Sequence, residues 1–383
     1  MKIVQLTTDA REHYKDYGNP RPFFGTAPEA LLQGFAAQPG VEVHVVACVR
    51  RFMPTPVQLA DNIWHHTLVV PKWGWMSTLY HGCIRAVRRK LRELAPDIVH
   101  GQGTERDCAL AAVRSGYPNV TTIHGNMAEM ARKSGAKAGS FHWLTGKLEN
   151  YALKRTAGVF CNSAYTENVV WPRARKVWRV PNALRNDFFK PKPASPRPTR
   201  PILTTIGVIA PWKRQVETLD IAAELHQKGF DFEWQFVGDA SPAGAYGADF
   251  LRKIAPMTRA GFAKHLGRKN VDELISHLDA ASALIHFSAE ESFGLVVAEA
   301  LARDLKLFAT QVGGMVDIAS GLPGVDLFEL NDWDGLRDAL AAWLRAGCPQ
   351  ASGASRTIAE RYSPAAVAQR HLEIYREVLS TRS

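Results

Sequence analysis

Two carboxylates, Glu291 and Glu299, stand eight positions apart around a stretch that reads as the opening of a helix, Phe293 to Ala302. Eight residues at about 100° each leave them roughly 80° apart around the axis and about 12 Å apart along it. Both could therefore touch one elongated ligand crossing the helix start. Between them, the N–H groups of Phe293, Gly294 and Leu295 fall at the positive end of the helix, an anion site suited to a diphosphate. Gly294 carries no side chain, so a ligand could approach the backbone closely. The plainer reading makes Glu291 a first-turn carboxylate that favours the helix dipole and Glu299 a solvated helix residue. Spacing alone leaves both open.

Three further places could do chemistry. Lys213 and Arg214 precede a helix expected over Val216 to Gln227. Basic groups oppose the dipole there unless they face an anion, so they are either a diphosphate clamp or simple solvated charges. His124 follows the strand Asn119 to Ile123, and ligands of open α/β sheets bind just outside such strand ends. It could hydrogen-bond a sugar hydroxyl or be satisfied by its own neighbouring backbone. Gly25 ends a long, mostly polar loop that starts at Thr7, before a helix Ala30 to Ala37 opened by Pro28 and Glu29. It could admit a phosphate or a sugar, or serve as an ordinary glycine turn.

The elements that must position these groups alternate. Strands are expected at Lys2 to Leu6, Val41 to Cys48, Asn62 to Val70, Asp97 to His100, Asn119 to Ile123 and Gly158 to Ser163. After them come Ile202 to Ile206, Phe232 to Val237, Ala283 to Phe287 and Leu305 to Thr310. Helices are expected at Thr78 to Leu94, Asp107 to Arg114, after the N-cap Ser163, at Val216 to Gln227, at Val271 to Leu278 and at Ser363 to Leu379. That alternation is an α/β pattern of two Rossmann-like domains with parallel sheets. From Lys190 to Pro201 there are five prolines in twelve residues, an extended connector that fits neither sheet nor helix. The expected division is a first domain over 1–190, a linker over 191–200, a second domain over 201–360 and a final helix over 361–383.

The chain has 383 residues, 46% of them apolar and 22% charged, as expected of a soluble two-domain protein. No apolar run approaches the ~20 residues of a membrane-spanning helix. Met1 to Leu6 enters a strand directly, without a secretory leader, so the expected compartment is the cytoplasm. The five cysteines are scattered and suggest neither a disulfide framework nor a zinc site. A formal charge of +10 admits nucleic acid, an anionic membrane or anionic small substrates. The helix Thr78 to Leu94 is amphipathic, carries Arg85, Arg88, Arg89, Lys90 and Arg92, and follows Trp73 and Trp75. It could lie on an anionic bilayer, or simply turn its apolar side to the sheet.

The string Glu291-Ser-Phe-Gly-Leu-Val-Val-Ala-Glu299, followed by Gly313-Gly314, resembles the Glu-x7-Glu signature of retaining GT-B glycosyltransferases of family 4. The resemblance implies two Rossmann-like domains with parallel sheets facing a central cleft, and a last helix crossing back to the first domain. It implies that Glu291 contacts the donor sugar, Glu299 the ribose, and the backbone from Ser292 to Leu295 the diphosphate. It gives Lys213 a donor phosphate, with Arg214 a candidate beside it, and sets His124 and Gly25 at the donor and acceptor side of the cleft. Gly267 and Arg268 become candidates beside the nucleobase. The implied reaction moves a sugar from a nucleotide-diphospho donor, expected to be a UDP- or GDP-sugar, to a saccharide or lipid-linked hydroxyl in envelope polysaccharide or glycolipid synthesis. The anomeric configuration is kept and no metal or other cofactor is implied; the chain shows no Asp-x-Asp site. The chain departs from the family at Val208, where an arginine is usual, at Ala183, Asp304 and Lys306, where Gly, Gly and Pro are usual, and at Asp317, where Glu is usual. A nucleotide-sugar epimerase of the same fold is the rival enzyme, told apart by whether a new glycosidic bond forms. A basic nucleic-acid-binding protein is the rival without catalysis, but the arginines are not interleaved with a recognisable binding module.

Overall fold

The computed structural model describes residues 1–192 and 198–381. Residues 193–197, the middle of the expected proline-rich linker, lie outside the described residues. The chain divides into two units, Met1–Arg185 together with Tyr362–Ser383, and Asn186–Arg361.

The first unit is built on eight strands: β1 (Lys2–Leu6), β2 (Glu42–Val49), β3 (Gln58–Ala60), β4 (Ile63–Val69), β5 (Ile98–Gln102), β6 (Asn119–Ile123), β7 (Val159–Cys161) and β8 (Val177–Arg179). Their order in the sheet is β3-β4-β2-β1-β5-β6-β7-β8. Every pair is parallel except the edge pair β3–β4. Runs such as Val43, Val45, Ala47 and Val49 are buried, because helices on both faces leave the sheet no solvated side. The second unit carries β9 (Ile202–Ile206), β10 (Glu233–Val237), β11 (Ala263–His265), β12 (Ala283–His286), β13 (Lys306–Thr310) and β14 (Val325–Phe328). Its order is β11-β10-β9-β12-β13-β14, parallel throughout. The connections run outward in opposite directions from β1 in one sheet and from β9 in the other. Each sheet therefore has a topological switch point beside its first strand, where ligands of open α/β sheets bind.

The last helix, Pro364–Ser380, belongs to the first unit. It packs so tightly on the helix Thr26–Ala36 that a Cβ on Gly34 would stand 2.1 Å from the Pro364 carbonyl oxygen. Tyr375 stacks on Phe35 and shares a 2.5 Å hydrogen bond with the buried His100 of β5.

Several boundaries differ from expectation. The helix after Gly25 starts at Thr26, with Gly25 as its cap at φ 90°. The helix expected from Thr78 starts at His81, after two short 3-10 turns. Its apolar residues Cys83, Ile84, Val87 and Leu91 are buried in the core, and Arg85, Arg88, Arg89 and Arg92 face outward. The two tryptophans before it do not act alike. Trp73 is 69% exposed, whereas Trp75 is buried, donates through Nε1 to the Val70 carbonyl at 3.0 Å, and lies under the guanidinium groups of Arg50 and Arg106. Among the described residues no helix is long and apolar enough to cross a membrane.

Candidate active site

The second unit assembles its site from the ends of two adjacent strands. After β9 the chain turns through Gly207, at φ 146°, and lays the aliphatic stem of Lys213 over that glycine. The buried Gln215 shapes this turn: it accepts from the Ala210 N–H at 3.2 Å and donates to the Val208 carbonyl at 2.9 Å. After β12 the chain runs through Ser288 to Glu291. The Ala289 N–H donates to the Trp212 carbonyl at 2.7 Å, so the two turns are tied to each other. Thr310 Oγ1 at the end of β13 donates to the Ser288 carbonyl at 2.6 Å.

Lys213 and Glu291 meet there as an ion pair, with only 15% and 18% of their side chains exposed. His286, the last residue of β12 and buried, joins them. Its Nε2 lies 3.2 Å from Glu291 Oε2, 3.1 Å from Ser288 Oγ and 3.5 Å from Lys213 Nζ. Burial alone would raise the Glu291 carboxyl. The His286 hydrogen bond and the Lys213 charge outweigh it and hold the group down at about 2. Burial, and then the Lys213 charge, lower His286, so its ring is neutral. A carboxylate oxygen only accepts, so the ring proton belongs on Nε2, facing Glu291. His286 was not singled out in the sequence because the apolar run continues through Phe287, which makes the histidine look internal to the strand, whereas β12 ends on it.

The helix beyond Glu291 begins later than its apolar run suggested. It spans Leu295–Ala302, with Gly294 as its cap at φ 97°. Glu291 thus lies in the preceding loop, and the arithmetic that set it 80° from Glu299 on one helix does not describe it. By position the first N–H groups without an intrahelical acceptor are those of Leu295 and Val296, rather than Phe293 and Gly294. Glu299, expected as a solvated residue in the plainer reading, is buried. The glycine pair is required by close packing, since Cβ atoms on Gly313 and Gly314 would stand 1.7 Å from the Glu291 carbonyl oxygen and 2.6 Å from Phe293 Cα. The pair therefore backs the loop from Glu291 through Ser292 to Phe293.

Other candidates lie elsewhere. Arg214 adopts φ 57°, and its guanidinium sits 5.8 Å above the Trp333 ring with Nη1 buried and without a hydrogen-bond partner. The structure does not bring it into the Lys213–Glu291 pair. Val208, in the place of the usual arginine, is half exposed. Gly267, at φ 65°, accepts from the Gly238 N–H at 2.9 Å beyond the end of β10, and Arg268 reaches Asp239 at 3.8 Å with both side chains largely exposed. In the first unit His124 directly follows β6, shares a 3.1 Å hydrogen bond with Gln102 and is pushed down to about 4 by burial. It borders a cavity of about 20 Å³ with Thr122, Phe160 and His371, room for about one water. Cys48, Cys83 and Asp107, also in the first unit, place ligand atoms within 4.8 Å of one another. The Cys48 thiol, raised by its hydrogen bond with Cys83 and by burial, donates to the Cys83 carbonyl; it is a protonated core group.

Residues 29–187 match the model of Glycosyltransferase Family 4, and residues 187–357 match that of Glycosyl transferases group 1. The chain is a GT-B glycosyltransferase of this type. A 2-deoxystreptamine glucosyltransferase of Streptomyces kanamyceticus is 25% identical over 309 residues, 76% of this chain and 78% of the relative. Among solved structures, a sucrose-phosphate synthase from Thermosynechococcus elongatus superposes with a TM-score of 0.77 at 16% identity, covering 100% of both chains. Anabaena HepE, solved with UDP and glucose, superposes with a TM-score of 0.70 at 16% identity over 98% of this chain and 99% of its own. At such identities these structures speak for the fold. In this glycosyltransferase, the sequence motif and the buried Lys213–Glu291 pair fall on the same unit.

Proposed function

We propose that this glycosyltransferase takes its sugar from a nucleoside-diphosphate donor, a UDP- or GDP-sugar, and keeps the anomeric configuration. The observation that carries the reading is the Lys213–Glu291 ion pair at the carboxyl ends of β9 and β12, beside the start of the helix Leu295–Ala302. A lysine held by a carboxylate at a sheet's switch point is a preorganised anion site. An arriving diphosphate takes the Lys213 charge and the helix N-terminus. Glu291 then accepts hydrogen bonds from donor hydroxyls, and Glu299 serves the ribose. As the glycosidic bond breaks, the diphosphate gains charge that Lys213 and the free N–H groups of Leu295 and Val296 stabilise in place. That charge needs no metal to meet it, so a chelator should leave turnover unchanged. HepE, solved with UDP and with UDP-glucose, supports a donor of this class.

The acceptor in this reading is a saccharide or lipid-linked hydroxyl of a cell envelope, with the protein cytoplasmic. The outward basic face of the helix His81–Leu94 and the exposed Trp73 suit peripheral contact with an anionic bilayer, which sedimentation with anionic vesicles would read.

A thermal-shift panel of UDP-, GDP- and ADP-sugars tests the donor, since a ligand that binds the native state raises its melting temperature. A shift for one nucleotide class is expected, and no shift across the panel removes the reading. Glu291→Gln should cut turnover by ~10²-fold or more if a preorganised donor contact is lost. The anomeric form of the product decides retention, and a changed sugar without a new glycosidic bond would favour an epimerase.

A further inference from the structure

β12 runs Ala283-Leu284-Ile285, all apolar and fully buried, and then ends on a buried histidine at the switch point of the sheet. A polar ring in such a place is costly unless its hydrogen bonds are used, and here the Nε2 edge is fully engaged. It meets Glu291 on the loop after β12 and Ser288 in the turn between them, while Lys213 approaches from the turn after β9. Ser288 is itself fixed by Thr310 of β13. Three strand ends therefore converge on the imidazole.

We propose that His286 is a positioning residue of the donor site, holding the Glu291 carboxylate in place through an Nε2–H hydrogen bond while Lys213 turns its charge to the donor diphosphate. This rests on the roles given to Lys213 and Glu291 above. Without a donor, Glu291 has both the ammonium and the imidazole. Once the diphosphate claims the ammonium, the carboxylate is left beside new negative charge, where it would take up a proton or swing away. A neutral ring that donates one hydrogen bond prevents both. It also adds no positive charge 3.5 Å from Lys213 Nζ, where an imidazolium would repel the lysine.

The test compares wild type, His286→Leu and His286→Gln, the last carrying an amide N–H in place of the ring Nε2–H. Proton uptake on binding UDP and GDP is measured by calorimetry in two buffers of different ionisation enthalpy near pH 6, alongside kcat, KM and the acid limb of the kcat–pH profile. Wild type sets the baseline, which includes the protons that the nucleotide's own terminal phosphate sheds on meeting Lys213. His286→Leu should take up close to one proton per nucleotide more than wild type, lose about tenfold in kcat with a smaller change in donor KM, and show its acid limb at higher pH. His286→Gln should recover most of each effect. A leucine variant that matches wild type in uptake, kcat and acid limb overturns the proposal. Should that variant not fold, His286→Asn, whose shorter amide cannot reach Glu291, carries the same expectation. If neither UDP nor GDP binds wild type, the donor reading has failed instead. In that event a carbon-13 titration of the Glu291 carboxyl in free protein still decides His286. Upward movement on removing the imidazole upholds its grip, and an unmoved titration ends it.

Discussion

Gly313 sits against Glu291 so closely that any side chain at residue 313 would begin 1.7 Å from the Glu291 carbonyl oxygen. That same oxygen accepts the Gly314 N–H at 3.2 Å. The glycine pair thus grips the backbone of the loop whose side chain pairs with Lys213, and it does so from the far side of the helix Leu295–Ala302 in sequence.

Gly313→Ala should therefore act on the site through the backbone. Alanine at φ 54° costs about 1–2 kcal/mol on its own, and the clash forces the Glu291 loop to shift as well. We expect a lower melting temperature together with a loss of turnover of tenfold or more, since a displacement of about 1 Å can cost about 10²-fold. Full activity in a correctly folded Gly313→Ala protein would show that the loop tolerates displacement.

Lys213 and Glu291 should be coupled in stability as well as in catalysis. Removing one partner leaves the other charge mostly buried, and breaking a buried pair typically costs about 3–5 kcal/mol. These side chains retain 15% and 18% exposure, so the lower end applies to Lys213→Met. The double variant Lys213→Met/Glu291→Gln should be more stable than Lys213→Met alone, because no buried charge remains unpaired. Urea unfolding of the four proteins gives the coupling. Strict additivity would mean that the pair is held together only weakly.

The acid sensitivity of the fold has a window set by buried histidines. Burial holds His65, His277 and His371 at about 4, against 6.5 for an ordinary ring. A lowered folded value means that the unfolded chain binds the proton first. The stability is therefore fully present above pH 6.5 and is lost as pH falls towards 4. Each proton contributes a slope of roughly 1.4 kcal/mol per pH unit in that range. Glu291, lowered from 4.5 to about 2, acts only below pH 4.5. The urea midpoint should hold from pH 8 to 7 and then fall between pH 6.5 and 4.5. A flat midpoint down to pH 4.5 would contradict the buried, neutral state of these rings.

Much of this architecture could be read in advance. β6 and β9 lie over the same residues as their apolar runs, and the helix after Ser163 is capped by that serine, which accepts from the Thr166 N–H. The helices Met127–Lys133, Phe141–Leu153 and Ala245–Arg259 were not drawn from the sequence. Gly135 and Gly139 stand in the short connection between the first two, and Pro256 sits within the third, so local signals there compete with packing. Lys213 and Glu291 could be singled out because each stands beside a helix start. Their ion pair, and the part played by His286, could not, because strand order and the pairing of turns are long-range facts. The helix start itself moved because Phe293, apolar and buried, fits the periodicity of the helix while belonging to the loop before it.

Asp304 offers a final test, at a turn where a glycine would be the simple solution. It adopts φ 51°, and its carboxylate accepts from the Ser355 N–H at 2.8 Å and the Ser355 Oγ–H at 2.7 Å. The left-handed backbone is thus held by two hydrogen bonds to a segment far along the chain. Asp304→Ala should lose both bonds and keep the strain, at a cost of about 2–3 kcal/mol. Asp304→Gly should relieve about 1 kcal/mol of that strain and still lose the bonds. Asp304→Asn keeps an acceptor oxygen and tolerates the left-handed region, so it should fall within about 1 kcal/mol of wild type. The expected order of stability is wild type, Asn, Gly, Ala, read from urea midpoints at neutral pH. A glycine variant more stable than wild type would mean that the Ser355 contacts add less than the strain removes, and the aspartate would then stand at that turn for a reason other than its stability.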